Sequence, residues 1–540
     1  MTAGVREEPR DALRALPAAW TRLPTLLTVL AVVAGIGYRL GLLLADAPPT
    51  NSDEATMGLA ALHITQGREF PVWFYGQRYM GTLEAYLAAP VFALAGPSTF
   101  ALRVPTLALY AVFLLLAWRL TLRLTADRWF ALLVVVVLAL GADREVKNQL
   151  IAGGGYPEMN AAGVALAVLG YDLAAGRPGR RGPRWAGWGL LAGLLLWVDP
   201  LVLPYVAGLA LVLVVLRWRE LRGQAGALLG LGALVGAAPL LVDSIVAGRS
   251  PLDAVLAAAG SGQSAGWADR LHGALVLGPP LGMGFCFPGR CAGWQLWWAV
   301  ALPLLLLAAA VTAWRTLRTP ATSARPSEPS GPGAAGSARR ARAAVSLALV
   351  GGAVATLAGY ALSSSSGRTP IESSRYLSCL LLSVPALLWP LWDAARRWPA
   401  AGGRRALGGV AAAGALVAVL GTAGVATAGA LATVPAARAE QARHDVLVAA
   451  LRERGVRHVY GGYWTCNRLT FASREDVVCA VVDDDLTPGH DRYGPYRRAV
   501  ESSPDAAWLA WSGSPLHERL RADPDFQPLL TVPGWHAYTR

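Results

Sequence analysis

Charge is what this sequence has least of. Only 15% of its 540 residues are Asp, Glu, Lys or Arg, against roughly 25% in soluble domains. Hydrophobic residues make up 54%, and the mean hydropathy is +0.41. A string of soluble domains is excluded. The long apolar runs, several near the ~20 residues that cross a bilayer, describe a polytopic membrane protein. Lysine is nearly absent, Lys147 being the only one. The seven histidines show no ligand spacing, and no glycine-rich loop follows a strand-like segment. Both absences count against a nucleotide-sugar enzyme, an ATPase or a nucleotide cofactor. In a soluble chain the net charge of +13 would point to nucleic acid. In a membrane protein, basic residues instead mark the loops kept in the cytoplasm, and no nucleic-acid partner is expected.

Candidate spans fall near 23–45, 102–120, 129–141, 160–175, 186–198, 201–216, 225–242, 294–313, 343–362, 376–392 and 406–434. Arginine clusters lie between alternate pairs, at Arg119/Arg123/Arg128, Arg177/Arg180/Arg181/Arg184, Arg217/Arg219/Arg222, Arg315 through Arg342, and Arg396/Arg397/Arg404/Arg405. About eleven spans place all of them on the side of the N-terminus, where Arg6, Arg10, Arg14 and Arg22 precede the first span. That arrangement satisfies the positive-inside rule. Segment 83–96 contains Glu84 and Pro90 and is short for crossing; counting it would export every cluster. It is expected to lie in the interface. Ala45-Asp46-Ala47 resembles a signal-peptidase site, but the apolar stretch before it is too long for a signal peptide.

The expected fold is therefore an all-α polytopic membrane protein with a small C-terminal extracytoplasmic α/β domain, in the bacterial inner membrane. Residues 1–22 form a cytoplasmic N-terminus. Residues 23–434 form the transmembrane domain, with a large first external loop at 46–100 and a cytoplasmic linker at 315–342. Residues 435–540 form the outer domain, where charge density rises and 446–454 reads as an amphipathic helix. Segments 456–463, 477–482 and 506–511 read as strands, and about a hundred residues suffice for such a domain. Cys286 and Cys291 lie in one external loop, Cys466 and Cys479 in the tail. On the oxidising side these suit two disulfides, with metal binding by the four as the competing reading. Cys379 is left over in a span.

Charged groups that stay beside a bilayer need a reason, and here they gather on one rim. Asp53 and Glu54 follow the first span, then Arg78 and Tyr79. Asp143, Arg144, Glu145 and Lys147 precede Gly153-Gly154-Gly155-Tyr156-Pro157-Glu158. Asp199, Asp243 and Arg375-Tyr376 sit at the outer ends of later spans, and Trp73, Phe74 and Tyr75 accompany them. A carboxylate can take a proton from a hydroxyl, two can hold a divalent cation, and Arg or Lys can clamp a phosphate. Plainer readings exist for each. Asp53 and Glu54 suit the first turn of a helix capped by Asn51 or Ser52, and Glu158 suits a helix dipole. Lys147 and Arg375 suit interfacial snorkelling, and Asp199 before Pro200 suits a break between spans.

At these residues the chain resembles the GT-C superfamily of polytopic glycosyltransferases, in the branch of protein O-mannosyltransferases and aminoarabinose transferases. The likeness rests on the first span followed by Asp53-Glu54-Ala55, then Arg78-Tyr79 with the interfacial segment. Gly96-Pro97-Ser98-Thr99-Phe100-Ala101-Leu102-Arg103-Val104-Pro105 is similar to a signature that opens the second span in that branch. The tail segments Tyr460-Gly461-Gly462-Tyr463-Trp464 and Arg492-Tyr493-Gly494-Pro495-Tyr496 resemble those of bacterial members. What the resemblance implies is transfer of a sugar from a polyprenyl-phosphate donor to an extracytoplasmic glycan, lipid or protein, with inversion at the anomeric carbon.

By position the resemblance implies Asp53 as catalytic base, with Glu54 beside it. It implies Arg375, together with Lys147, Arg78 and Tyr79, at the donor phosphate, and Asp53 with Glu158 at a divalent metal cation. Asp143, Glu145, Tyr156, Asp199 and Tyr376 complete the expected pocket. One departure stands out: aminoarabinose transferases carry a lysine just after the Arg-Tyr pair, where this chain has Gly81-Thr82-Leu83-Glu84. Lys147 is the candidate for that part. The rival reading is a transporter or lipid flippase, which places ionisable groups near the bilayer midplane; Arg39 and Asp172 are the ambiguous cases. A non-catalytic envelope-assembly protein of the same fold is a third reading.

Overall fold

A computed structural model describes residues 18–250, 264–319, 332–398 and 403–540, together with Asp253. Arg6, Arg10 and Arg14, part 320–331 of the expected linker and most of 251–263 lie outside the described residues. The chain begins with α1 (Ala18–Leu43), α2 (Ser52–Thr65), α3 (Leu83–Ala95) and α4 (Thr99–Thr125). Then follow α5 (Arg128–Ala139), α6 (Asp143–Leu150), α7 (Tyr156–Ala174) and α8 (Arg181–Val198).

Among the described residues, seven helices are long and apolar enough to cross a membrane. They coincide with seven of the eleven expected spans. An eighth arises if Gln224–Gly236 and Ala238–Val246, bent by 61° at their junction, count as one. The other three expected spans fall on α5, α7 and α8. At about 1.5 Å per residue, the 12 residues of α5 fall short of a ~30 Å hydrocarbon layer. Helix α7 carries Glu158, Asn160 and Asp172 and is buried along nearly all of its length, so its neighbours relieve it of the need to be apolar. Helix α8 opens on Arg181 and Arg184. It packs on Gln224–Gly236 through Gly189, Gly193, Gly232 and Gly236. A Cβ on any of these four would collide with a carbonyl of the facing helix, and small residues let membrane helices approach this closely.

The helices have two chemically different ends. At one, arginines pair with the few acids: Arg123 with Asp172 at 2.9 Å, Arg181 with Glu220 at 2.7 Å, and Trp392 donates to Asp127 at 2.9 Å. Asp172, ambiguous in the sequence, belongs here. At the other end lie α2, α3, α6, the glycine turn before α7 and the 3-10 segment Ser374–Ser383. Arg39 lies near that end, its guanidinium held by Gln149 of α6 at 2.8 Å and by the Ala139 carbonyl.

The C-terminal region folds on that same end. Strands β1 (His458–Gly461), β2 (Val478–Val481), β3 (Ala507–Trp511), β4 (Gln527–Val532) and β5 (Trp535–Thr539) form a sheet of order β2-β1-β3-β5-β4. The first three strands are parallel and β5 runs against β3. The three expected strands are present; the β4–β5 hairpin is additional. Cys286–Cys291 and Cys466–Cys479 are both disulfides, which sets aside metal binding by the four. Cys379 is free and buried.

Candidate active site

Helix α2 begins where Asn51, in extended backbone, accepts the amide N–H of Glu54 at 2.9 Å. This is an N-cap, and it sets Asp53 and Glu54 in the first turn, where the helix dipole favours negative charge. The capping expectation is met.

Asp53 and Glu54, neighbours in sequence, have opposite surroundings. Glu54 is fully buried and forked by Arg103, with Nε on Oε1 and Nη2 on Oε2, both at 2.6 Å. Thr50 donates to Oε2 at 2.6 Å, and the third arm of Arg103 reaches the Pro48 carbonyl at 2.8 Å. The expected catalytic part for Glu54 is therefore corrected: both carboxylate oxygens are consumed, and no substrate can reach them. The arginine of the Gly96–Pro105 stretch clamps the first loop onto α4.

Asp53 lies in the cleft. Its Oδ1 accepts from the Tyr463 hydroxyl and from Arg492 Nη2 at 3.0 Å, and Arg492 Nε donates to that hydroxyl at 2.7 Å. Oδ2 carries no hydrogen bond among the described residues. Both partners come from the C-terminal domain. Arg492 is almost wholly buried over the Phe74 ring, 4.9 Å from its centroid, and its Nη1 has no partner. Sequence reasoning missed Tyr463 and Arg492 because 410 and 439 residues separate them from Asp53. The tail motifs containing them were visible, but nothing local tied those motifs to α2.

The opposite wall is the 3-10 segment. The Arg375 guanidinium lies 5.4 Å from the Tyr376 ring centroid and interacts electrostatically with Tyr156 and Asp53. Its Nε is buried without a partner. Tyr79 feels Tyr376, Arg492, Asp199 and Arg375 together. Asp199 caps the Leu201 amide at 2.8 Å; burial pushes its carboxyl up to about 7, while that amide and Arg375 oppose the rise. The turn Gly153-Gly154-Gly155 seals the floor. A Cβ on Gly153, at φ +145, would crowd the Asp53 carbonyl, and one on Gly155, at φ +66, would crowd Val198, in conformations that a side chain would resist. Behind it, Glu158 faces Glu84 and Asp199, and burial followed by the Glu158 charge drives the Glu84 carboxyl well above the usual range.

Asp53, Tyr79, Glu158, Tyr156, Asp199, Arg375 and Tyr376 are thus brought together. Glu145 is not: its carboxyl packs against Arg39, Gln149 and Gly284, away from the cleft, where burial raises it to about 8. Lys147 pairs with Asp143 at 3.0 Å, one turn back on α6, so the two expected pocket groups engage each other. Arg78 is exposed and forms no ion pair among the described residues. The donor set does not suit a divalent cation. Among the described residues no group of three or more His, Cys, Asp or Glu is placed to hold a metal ion. Glu158 faces other carboxyls, and Asp53 already has a guanidinium on Oδ1.

No protein-family model matches this sequence, and no curated protein does. Solved structures do. ArnT from Cupriavidus metallidurans in the apo state matches with a TM-score of 0.56 at 13% identity, over 97% of this chain and 98% of that one. The same protein bound to undecaprenyl phosphate gives 0.58 at 12% identity, with the same coverage. The apo Archaeoglobus fulgidus oligosaccharyltransferase gives 0.52 at 12% identity, over 91% of this chain and 70% of that one. The chain shares the fold of these solved structures.

Proposed function

We propose that this protein transfers a sugar from a polyprenyl-phosphate carrier to an acceptor at the membrane face that bears the C-terminal domain. The observation that carries the reading is the convergence of Asp53, Arg375 and Arg492, two of them with buried guanidinium nitrogens lacking a partner. Unsatisfied buried donors in a cleft call for an anionic ligand. The fold shared with ArnT, solved bound to undecaprenyl phosphate, supports a lipid phosphate as that ligand.

The lipid lies along the apolar helix surfaces, and its phosphate faces Arg375 and Arg492. As the bond between the anomeric carbon and the phosphate oxygen opens, the leaving phosphate gains charge that the two guanidinium groups stabilise. The acceptor hydroxyl bonds to that carbon from the other face and releases its proton to Asp53 Oδ2. Polyprenyl phosphate leaves with the electron pair, and the displacement inverts the centre. Arg492 takes the cationic part expected of Lys147. We assign no metal to this step, since the cations at the cleft are guanidinium groups. The arginine-rich opposite end supports a cytoplasmic assignment for that face, so the active site is extracytoplasmic in a bacterial inner membrane. With Asp172 at the arginine-rich end and Arg39 near the site end, neither supports a flippase with charges at the midplane.

The test is turnover of a radiolabelled polyprenyl-phosphate sugar by the purified protein in lipid nanodiscs. The donor is consumed, with or without EDTA. Asp53→Asn lowers the rate by roughly 10²-fold or more at normal expression; an active variant sinks the role of Asp53, and an untouched donor sinks the enzyme.

A further inference from the structure

The C-terminal sheet has a topological switch point. The chain leaves β1 toward β2 on one side, then returns to place β3 on the other side of β1. In open α/β sheets the crevice at the carboxyl ends of the strands, where the connections diverge, is where ligands bind. Here that place holds a cavity of about 600 Å³, within the range of roughly 300–1,000 Å³ of small-molecule sites. Its lining follows the ends of β1, β2 and β3 in turn: Tyr463 and Trp464, then Asp483 and Asp484, then Trp511.

The chemistry of the lining selects the ligand. Such crevices commonly hold phosphates at a helix N-terminus, and the helix Tyr463–Ala472 does start here. Yet Asp483, Asp484 and Asp485 all line it, and like charges repel an anion. Nucleotides and acidic glycans are therefore disfavoured. Trp464 is 65% exposed and Trp511 41%. An aromatic face suits the apolar C–H face of a sugar ring. Carboxylates accept hydrogen bonds from sugar hydroxyls.

We propose that this crevice is a binding site for a neutral saccharide, the acceptor of the transfer reaction. The proposal rests on the sugar-transfer reading and deepens it by naming the acceptor class. Tyr463 is the physical link. It lines the crevice while its hydroxyl donates to Asp53, so a glycan held there extends toward the base. The acidic opening also fits the positive cleft behind it: the donor phosphate is drawn to Arg375 and Arg492 and kept out of the acceptor site.

The test is calorimetric titration of the full-length protein in nanodiscs with neutral hexasaccharides (mannohexaose, arabinohexaose, maltohexaose, chitohexaose). Hexagalacturonate and a serine-rich decapeptide are the comparison probes. At least one neutral hexasaccharide binds, and its affinity falls roughly tenfold or more in Trp464→Ala and in Trp511→Ala. Asp484→Ala weakens it as well. The proposal is overturned if no neutral hexasaccharide binds, if hexagalacturonate or the peptide binds as tightly, or if both tryptophan variants bind as the unaltered protein does. Because binding needs no donor, the two readings fail separately. A saccharide that binds to a protein that never consumes donor leaves the crevice standing, whereas donor turnover without saccharide binding removes it.

Discussion

Asp53 and Glu54 show how little residue type decides without surroundings. One is partly exposed with an open oxygen, and the other is sealed in a two-point ion pair with Arg103. Removing one partner of such a pair strands a buried charge at a cost of about 3–5 kcal/mol, whereas replacing both with apolar groups is often neutral. Arg103→Leu is expected to give little folded protein by size-exclusion chromatography, and Glu54→Leu with Arg103→Met to recover it. A recovered double variant that transfers sugar confirms a structural part for Glu54; a folded but inactive one restores a chemical part. Arg492 makes the opposite case. Arg492→Ala is expected to lower kcat/KM by roughly 10²-fold, the cost of one preorganised stabilising group, without loss of folded protein. Lysine recovers only part of it, because the charge remains while the planar fork is lost.

Elements bring their own lesson in α7, α8 and the bent pair 224–246. Hydropathy finds a helix that faces lipid, because lipid tolerates only apolar side chains. It underrates a helix that faces protein, and α7, buried along nearly all its length, keeps Glu158 and Asp172 for that reason. The glycine seam between α8 and Gln224–Gly236 is the tightest helix contact described above, and it makes a testable point. Gly193→Leu drives a side chain into the Ala233 carbonyl and is expected to lower the melting temperature in detergent by several degrees. Gly230→Leu, on the same facing helix with open space at its Cβ, is the control and leaves the melting temperature near that of the parent. Equal melting by the two variants would discard the seam.

At the scale of the whole molecule, the question is how the C-terminal domain is held over the cleft. Tyr463 and Arg492 grip Asp53 at the start of α2, and His63 near its end meets Glu475 at 3.1 Å. Phe471 packs against Gly58 between them. Glu475 also takes Arg68 and accepts from Tyr496 at 2.9 Å. Burial pushes its carboxyl up, but the bonds from His63, Arg68 and Tyr496 outweigh that and hold it at about 2. A depressed carboxyl stabilises the folded state above its unfolded value, near 4.3, and loses that contribution as pH falls toward the folded one. Between pH ~6 and ~3 the parent is therefore expected to lose more thermal stability than Glu475→Gln, as read by scanning fluorimetry. Parallel curves would show that this contact does not dock the domain.

What the sequence determined alone was set by solvent: long apolar runs must meet lipid, and arginines cluster in the loops between them. The oxidised cysteine pairs, the first three strands and the candidate base at the start of α2 were legible for similarly local reasons of spacing, capping and charge cost. Tertiary structure alone decided which charged groups share a cleft. It buried Glu54 and Glu145, paired Lys147 with Asp143, and carried Tyr463 and Arg492 across more than four hundred residues to Asp53. The physical reason is range. Hydropathy and capping act over one or two helical turns, whereas the charge pattern of a site depends on which distant segments the packing brings within a few ångströms.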